Sequence, residues 1–399
     1  MSEITLHETQ IKAIDFAVEN TFAIINGGAG TGKTTIIKEI AERVASPLLC
    51  AFAGKAAARL REATGIEAST IHRALEFRET HFALETLKGK SVIVDEASMV
   101  STDLMAEIMK RKPDRLVLVG DEAQLPPVGK GQPFHDILAM MPERSVKLTK
   151  CFRNKEAVFK AAMAIREGGH PSASEQSEQE TWQIERSGDD AQTQRKILDY
   201  VAAGNVDFEQ DIILCPRNGD NDDQPCTVKG LNRAIVDIVN PRNDESVKFL
   251  PGDRVINTKN YSDKDVWNGT TGTIHAIDQS GEIWVRVDTP VIDWAKTESS
   301  KDPVYTDKVL FDKDMKKTLQ LAYALTVHKS QGSQYRKVIF CALMRDAHML
   351  LDRSLIYTAV TRTKEHCIVA GQVQALARGI ANTRTKRTVF QELAKEVAK

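Results

Sequence analysis

Short runs of branched apolar residues recur along the chain at intervals that leave room for a helix between them. "FAIING" (Phe22–Gly27), "PLLCAFA" (Pro47–Ala53), "SVIVDEA" (Ser91–Ala97) and "RLVLVGD" (Arg115–Asp121) are the first set. A strand with one wet face alternates apolar with polar residues. An unbroken apolar run requires cover on both faces, which is the signature of a parallel sheet packed between helices. "KTTIIKEIAERVA" (Lys33–Ala45) supplies apolar residues at helical spacing between two of the runs. The rhythm returns in "DIILCP" (Asp211–Pro216), "KVIFCAL" (Lys337–Leu343) and "HCIVAG" (His366–Gly371). The expectation is therefore α/β, with two parallel-sheet domains.

Three segments break the rhythm. Arg78–Lys90 is short and holds few apolar residues, so it reads as a small hairpin inserted between strands. Val247–Phe311 alternates apolar with polar and carries Gly and Asn turns, as in "WNGTTGTIHAID" and "GEIWVRVD". That is antiparallel chemistry, and it predicts a small five-strand barrel. Ser172–Asp190 is polar and acidic and reads as a surface connection. A length of 399 residues fits two to four such units.

Glycines and charge then narrow the chemistry. Gly27-x-x-x-x-Gly32-Lys33-Thr34 lies between a strand and a helix, as a P-loop requires. Glycines let backbone N–H groups approach phosphates, and the helix N-terminus adds its dipole. The cradle comprises Gly27, Gly28, Ala29, Gly30, Thr31, Gly32, Lys33, Thr34 and Thr35. Lys33 suits the β/γ phosphates of ATP, and the Thr34 hydroxyl suits Mg²⁺. "VIVDEAS" delivers two adjacent carboxylates at a strand end. Asp95 is placed to hold Mg²⁺ and Glu96 to activate water.

"LVLVGDEAQLPPVGKG" places Gln124 as a γ-phosphate sensor, with rigid prolines behind it. Arg153 in "LTKCFRN" and Arg362 in "YTAVTRTKEH" are candidate arginine fingers. "YALTVHKSQGSQYRKVIF" packs Thr326, His328, Lys329, Ser330 and Gln331 just before a strand, a run of donors suited to a phosphate backbone.

Net charge is -1, so a nucleic-acid surface must be a local patch. No apolar run spans a bilayer and the N-terminus is polar, which predicts a cytoplasmic protein without a membrane partner. The six cysteines are scattered without a C-x-x-C pair and read as reduced thiols.

Ten motifs in register, spread over nearly the whole chain, resemble those of superfamily 1 helicases of the 5′→3′ branch, the RecD-like and Dda-like group. They are "HETQ", "GGAGTGKTT", "AGKAAARL", "STIHRAL", "VIVDEASMV", "VGDEAQLPPVG", "LTKCFRN", "DIILCPRN", "ALTVHKSQGS" and "YTAVTRT". The resemblance implies two RecA-like P-loop lobes with ATP between them and single-stranded DNA across the top. It implies lobe 1A at 1–140 with a strand-separating pin at about 74–88, lobe 2A at 141–245 and 319–399, and an SH3-like β-barrel insertion at 246–318. Gln10 resembles the adenine reader. Lys33, Thr34, Asp95, Glu96, Gln124, Arg153, Gln331, Gly332 and Arg362 match the nucleotide site. Lys55, Thr70, His72, Thr326 and His328 match positions that touch DNA, and Phe77 and Phe82 fall in the pin. The implied partners are single-stranded DNA, junctions of single and double strands, and single-strand-binding, replication or recombination proteins; the implied state is monomeric.

Two departures stand out. The family usually has Pro-Thr where this chain has Phe52-Ala53, so a threonine contact to phosphate is absent. It often has Ser-Glu where this chain has Ser333-Gln334, which removes a carboxylate for ribose. The residues also leave two other functions open: an ATP-gated single-strand clamp or remodelling factor without strand separation, and an RNA-directed motor.

Overall fold

A computed structural model describes residues 6–78, 80–150, 152, 156–221, 224–244, 246–300, 303–383 and 388. The chain divides into two units. The first comprises Met1–Lys160 with Thr383–Lys399, and the second comprises Ala161–Asn382.

The first unit runs α1 (Glu8–Glu19), β1 (Phe22–Gly27), α2 (Lys33–Arg43), β2 (Pro47–Ala51), α3 (Gly54–Thr64), β3 (Ala68–Thr70) and α4 (Ile71–Ala74). Then come β4 (Phe77–Arg78), β5 (His81–Phe82), β6 (Ser91–Asp95), α5 (Thr102–Lys110), β7 (Arg115–Gly120), α6 (Pro133–Met140) and β8 (Ser145–Leu148). Six strands form one sheet in the order β3-β2-β6-β7-β1-β8, every pair parallel.

Alternate residues of these strands serve opposite cores, which is why the runs are apolar throughout. Ala23, Ile25, Ile93, Val117 and Val119 pack on one side with Ala13 and Ile14 of α1 and Ile36, Ile37 and Ile40 of α2. Ile24, Val92, Val94, Leu116 and Leu118 pack on the other with Leu104 and Ile108 of α5 and Phe134 of α6. Fully burying each Val, Leu, Ile or Phe among them stabilises the fold by about 1.5–3 kcal/mol.

β8 extends this unit past the expected boundary at 140, because it pairs with β1 from Ile24↔Ser145 to Gly27↔Leu148. At the other end, Thr388 belongs here and not to the second lobe: its buried hydroxyl donates to Asp136 of α6 (2.8 Å). β4 and β5 form the expected hairpin, at Phe77–Phe82. α7 (Ala157–Glu167) carries the chain out of the unit.

The second unit holds β9 (Ser174–Gln176), β10 (Thr181–Arg186), α8 (Asp190–Ala202), β11 (Ile212–Cys215) and α9 (Val228–Val239). An insertion follows: β12 (Arg254–Asn257), β13 (Thr271–Ile277), β14 (Ile283–Ile292), α10 (Trp294–Thr297), β15 (Tyr305–Phe311) and β16 (Leu319–Leu321). The unit closes with β17 (Ala324–Thr326), β18 (Tyr335–Ala342), α11 (Arg353–Val360), β19 (Thr363–Gly371) and α12 (Val373–Ala381). The main sheet has the order β17-β11-β18-β19-β10-β9, parallel except for β9.

β9 and β10 correct the reading of Ser172–Asp190 as a surface connection. "TWQIER" is a sheet strand paired with β19, and Trp182 on it is 1% exposed. Its indole N–H donates to the Ser172 carbonyl (2.8 Å), so the polar group of the strand's one fully buried side chain is satisfied.

The insertion is a five-stranded antiparallel sheet, β15-β14-β13-β12-β16. Ile283, Val285 and Val287 of β14 point into its core while Trp284 and Arg286 point out. The fifth strand, β16, lies just beyond the expected limit at 318. Among the described residues β15 and β16 are not paired with each other, so the strand order is open and not that of a closed barrel.

Candidate nucleotide and nucleic-acid sites

The phosphate cradle is folded tightly on itself. The Thr31 hydroxyl donates to the Gly28 carbonyl (2.9 Å), and the Lys33 ammonium donates to the carbonyls of Gly27 (2.8 Å) and Gly28 (3.1 Å). Gly32 has φ +79 and caps α2, so the first N–H groups of that helix face the loop. A Cβ at Gly32 would lie 2.4 Å from the Gln10 amide nitrogen. Gln10 is buried, and that amide donates to the Thr31 carbonyl (3.2 Å) while its oxygen accepts from the His7 N–H (2.9 Å). The capping box of α1 therefore fixes Gln10 against the loop. Ala29, Gly30, Thr34 and Thr35 are half-buried around it.

Asp95 ends β6 among buried residues. Its carboxylate accepts from the Glu96 N–H (2.8 Å). Burial, then the neighbouring Glu96 charge, push its pKa up, against the opposing pull of Arg59 and Lys33. Glu96 is 4% exposed and stands at φ +51, in the left-handed region. A non-glycine residue held there stores local strain of about 1–3 kcal/mol, a feature that clusters at functional sites. Arg59 of α3 pairs with its carboxylate at 3.6 Å. Gln124 follows β7 and is buried, and its side-chain oxygen has no hydrogen-bond partner among the described residues. The Thr34 hydroxyl and the Asp95 carboxylate are hard oxygen donors of the kind Mg²⁺ takes when nucleotide phosphates and water complete its shell. Among the described residues no cluster of three or more His, Cys, Asp or Glu could hold a metal ion without them.

Two residues here escaped the sequence reading. One is Arg59, in the middle of "AGKAAARL". The other is Phe152: its N–H donates to the Gly30 carbonyl (3.1 Å), and its ring is 48% exposed beside Gly32. An exposed aromatic ring anchored on a phosphate loop has a face free to take part in stacking. Its position next to Arg153 in "CFRN" was the available signal. Arg153 itself lies outside the described residues.

In the second unit, Arg362 is buried and donates to the carbonyls of Thr358 (3.2 Å) and Ser333 (3.3 Å). Gln331 is buried with its amide nitrogen unpartnered among the described residues, and Gly332 beside it has φ +76. Thr326 ends β17, and its hydroxyl accepts from the Lys329 N–H (3.3 Å); His328 is exposed on the turn that follows.

The remaining candidates follow strands of the first sheet. Lys55 occupies the first turn of α3. Thr70 is the N-cap of α4, its hydroxyl accepting from the Arg73 N–H (3.2 Å). The His72 ring sits 5.6 Å from Phe77, 5.8 Å from Phe82 and 6.4 Å from Phe52, and burial lowers its pKa. Phe52, the residue at the first departure, thus packs on His72. Phe77 and Phe82 stack on each other at 4.9 Å, both half-buried, and Phe82 also packs on the α5 core.

Comparison with known proteins fits this arrangement. The profile of the AAA domain family matches residues 5–186, and that of the UvrD-like helicase C-terminal domain matches residues 321–370. The ATP-dependent RecD2 DNA helicase of Deinococcus radiodurans is 33% identical over 403 residues, 96% of this chain and 51% of the relative. The chain belongs to the RecD-like helicases of superfamily 1. The RecBCD enzyme subunit RecD of Mycolicibacterium smegmatis is 29% identical over 91% of this chain and 71% of its own length. The chain thus spans about half the length of the Deinococcus relative. A Bacteroides Pif1 helicase in complex with ADP-AlF3 and single-stranded DNA shares the fold of these helicases, with TM-score 0.57, 19% identity and 99% of this chain covered. Among the described residues no helix is long and apolar enough to cross a membrane.

Proposed function

We propose that the chain is an ATP-driven motor that moves 5′ to 3′ on single-stranded DNA and opens duplex. The observation that carries the reading is the carboxyl edge of the first sheet, where the glycine loop with Lys33, the Asp95-Glu96 pair and Gln124 follow the neighbouring parallel strands β1, β6 and β7. Lys33 holds the β/γ phosphates, and Gln10 and Phe152 hold the adenine by hydrogen bond and by stacking. Thr34 and Asp95 hold Mg²⁺, which neutralises phosphate charge when bound. Glu96 orients and deprotonates the attacking water. Gln124 and Gln331 sense the γ-phosphate, and Arg153 and Arg362 stabilise the charge of the transition state.

The strand lies on Lys55, Thr70, His72, Thr326 and His328, with Phe77 and Phe82 in the hairpin at the duplex. Its partners are single-stranded and forked DNA, with single-strand-binding, replication or recombination proteins. The decisive experiment compares duplexes bearing a 5′ or a 3′ single-stranded tail, with ATP and Mg²⁺. Opening only of the 5′-tailed substrate is expected. Opening only of the 3′-tailed one reverses the polarity. ATP turnover stimulated by single strands without opening of either substrate turns the protein into a clamp or remodelling factor.

A further inference from the structure

The hairpin is too small to hold its own orientation. β4 and β5 contribute two residues each, and backbone bonds Ala83 N–H to Glu76 O (3.0 Å) and Leu84 N–H to Leu75 O (3.3 Å) extend the ladder only slightly. An isolated two-stranded ribbon is marginal in water. Its direction must be set by what it is fastened to.

The fastening is Arg111, the C-cap residue of α5, which is 8% exposed. Its Nε donates to the Leu84 carbonyl (2.5 Å) and its Nη2 to the Phe82 carbonyl (3.2 Å). Its Nη1 donates to the Glu107 carbonyl (2.6 Å) and carboxylate (2.8 Å), one turn back along α5. The Arg111 carbonyl accepts from the Leu87 N–H (2.8 Å), and the guanidinium lies 5.6 Å from the centre of the Phe82 ring. One planar group therefore grips the returning arm at two carbonyls and an aromatic face, and anchors them to a helix. Phe77, on the outgoing arm, rests on Phe82 in turn.

α5 is also the helix that follows directly from the carboxylates. Asp95 and Glu96 lead into a single 3₁₀ turn, Ala97–Met99, and Ser101 caps α5 by accepting from the Leu104 N–H (3.4 Å). From Glu96 the chain reaches the hairpin's anchor through that 3₁₀ turn, the two extended residues Val100 and Ser101, and α5, with Arg111 at its far end.

We infer that Arg111 is a positioning residue that fixes the hairpin on α5 and thereby couples ATP turnover to strand separation. The inference rests on the helicase reading above. Lysine cannot replace the planar fork, because an ammonium offers a point charge without fixed donor directions.

The test uses the full chain with Arg111→Ala and Arg111→Lys. Forked duplex with a 5′ tail is opened in one assay, and ATP turnover on single-stranded DNA is measured in another. Both variants are expected to open duplex at least about tenfold more slowly, since a small misplacement of a working group costs on that scale. Turnover on single strands stays within about twofold for Arg111→Lys, whose charge and stem are retained. The ATP consumed per base pair opened rises accordingly. Wild-type opening by both variants, or equal losses of opening and turnover by Arg111→Lys at an unchanged melting temperature, overturns the inference. A wild-type chain that turns over ATP on single strands but opens no duplex sinks the helicase reading instead, before any variant is compared.

Discussion

The two parallel sheets have the same width and nearly the same layout, yet they present their candidate groups at opposite ends. In the first sheet the phosphate loop follows β1, Asp95 ends β6 and Gln124 follows β7, all on the carboxyl edge. In the second, Gln331 comes shortly before β18 and Arg362 immediately before β19, on the amino edge. The second sheet's carboxyl edge instead carries Thr326, at the end of β17, in the same relation to its strand as Thr70 has to β3. The rule that ligands gather at the carboxyl ends of parallel strands agrees with the proposed nucleotide site of the first unit. It does not predict where the proposed nucleotide-responsive groups of the second, Gln331 and Arg362, fall. In the proposed motor the same scaffold serves two purposes, and the residues at its edges distinguish them.

Four substitutions probe that contrast, from the largest effect to the smallest. Lys33→Ala should abolish ATP turnover while single-strand binding, followed by fluorescence anisotropy, survives; retained turnover would remove the carboxyl edge from the mechanism. Arg362→Ala should lower kcat by about 10³–10⁵ with nucleotide binding mostly kept. A loss below tenfold would mean that the amino edge of the second sheet does not serve the reaction.

Phe152→Ala should raise the KM for ATP by about tenfold with little change in kcat, consistent with stacking of about 1–3 kcal/mol on an aromatic platform. An unchanged KM would return Phe152 to the status of an exposed ring. Asp95→Asn should stabilise the fold slightly while stopping turnover. The folded-state pKa of Asp95 is raised, so its contribution to stability is fully present below the unfolded value of ~4 and is lost as pH rises through the folded value. The asparagine has no such dependence. The gain in melting temperature should therefore grow from pH 4 to neutrality, at roughly 2–4 °C per kcal/mol. A gain that shrinks with pH would contradict the assigned shift.

Much of the fold was legible because parallel strands buried on both faces advertise themselves. "VIVDEAS" and "KVIFCAL" needed no partner to be recognised. β10 was not legible, because "TWQIER" sits in an acidic stretch and only one of its residues, Trp182, is fully buried. The glycine loop and its carboxylates were legible because phosphate chemistry dictates their spacing. Arg59, Phe152 and Arg111 were not, because each acts through a contact with a residue distant in sequence that only folding creates. The resemblance puts Phe77 and Phe82 in the hairpin, and they pair there. Their stacking on each other and on His72, and the grip of Arg111 on Phe82, arise only when the chain folds.

The buried indole of Trp182 has a spectroscopic consequence. All four tryptophans of the chain, Trp182, Trp267, Trp284 and Trp294, belong to the second unit. Trp182 is sealed in the sheet, whereas Trp284 and Trp294 on the insertion are each 39% exposed. Intrinsic emission therefore reports on one half of the molecule, with a blue-shifted component from the sheet and a quenchable one from the insertion. Circular dichroism reports on both halves. Denaturation curves that coincide by the two methods would show the halves melting as one cooperative body, and curves that separate would show the tryptophan-free half melting on its own.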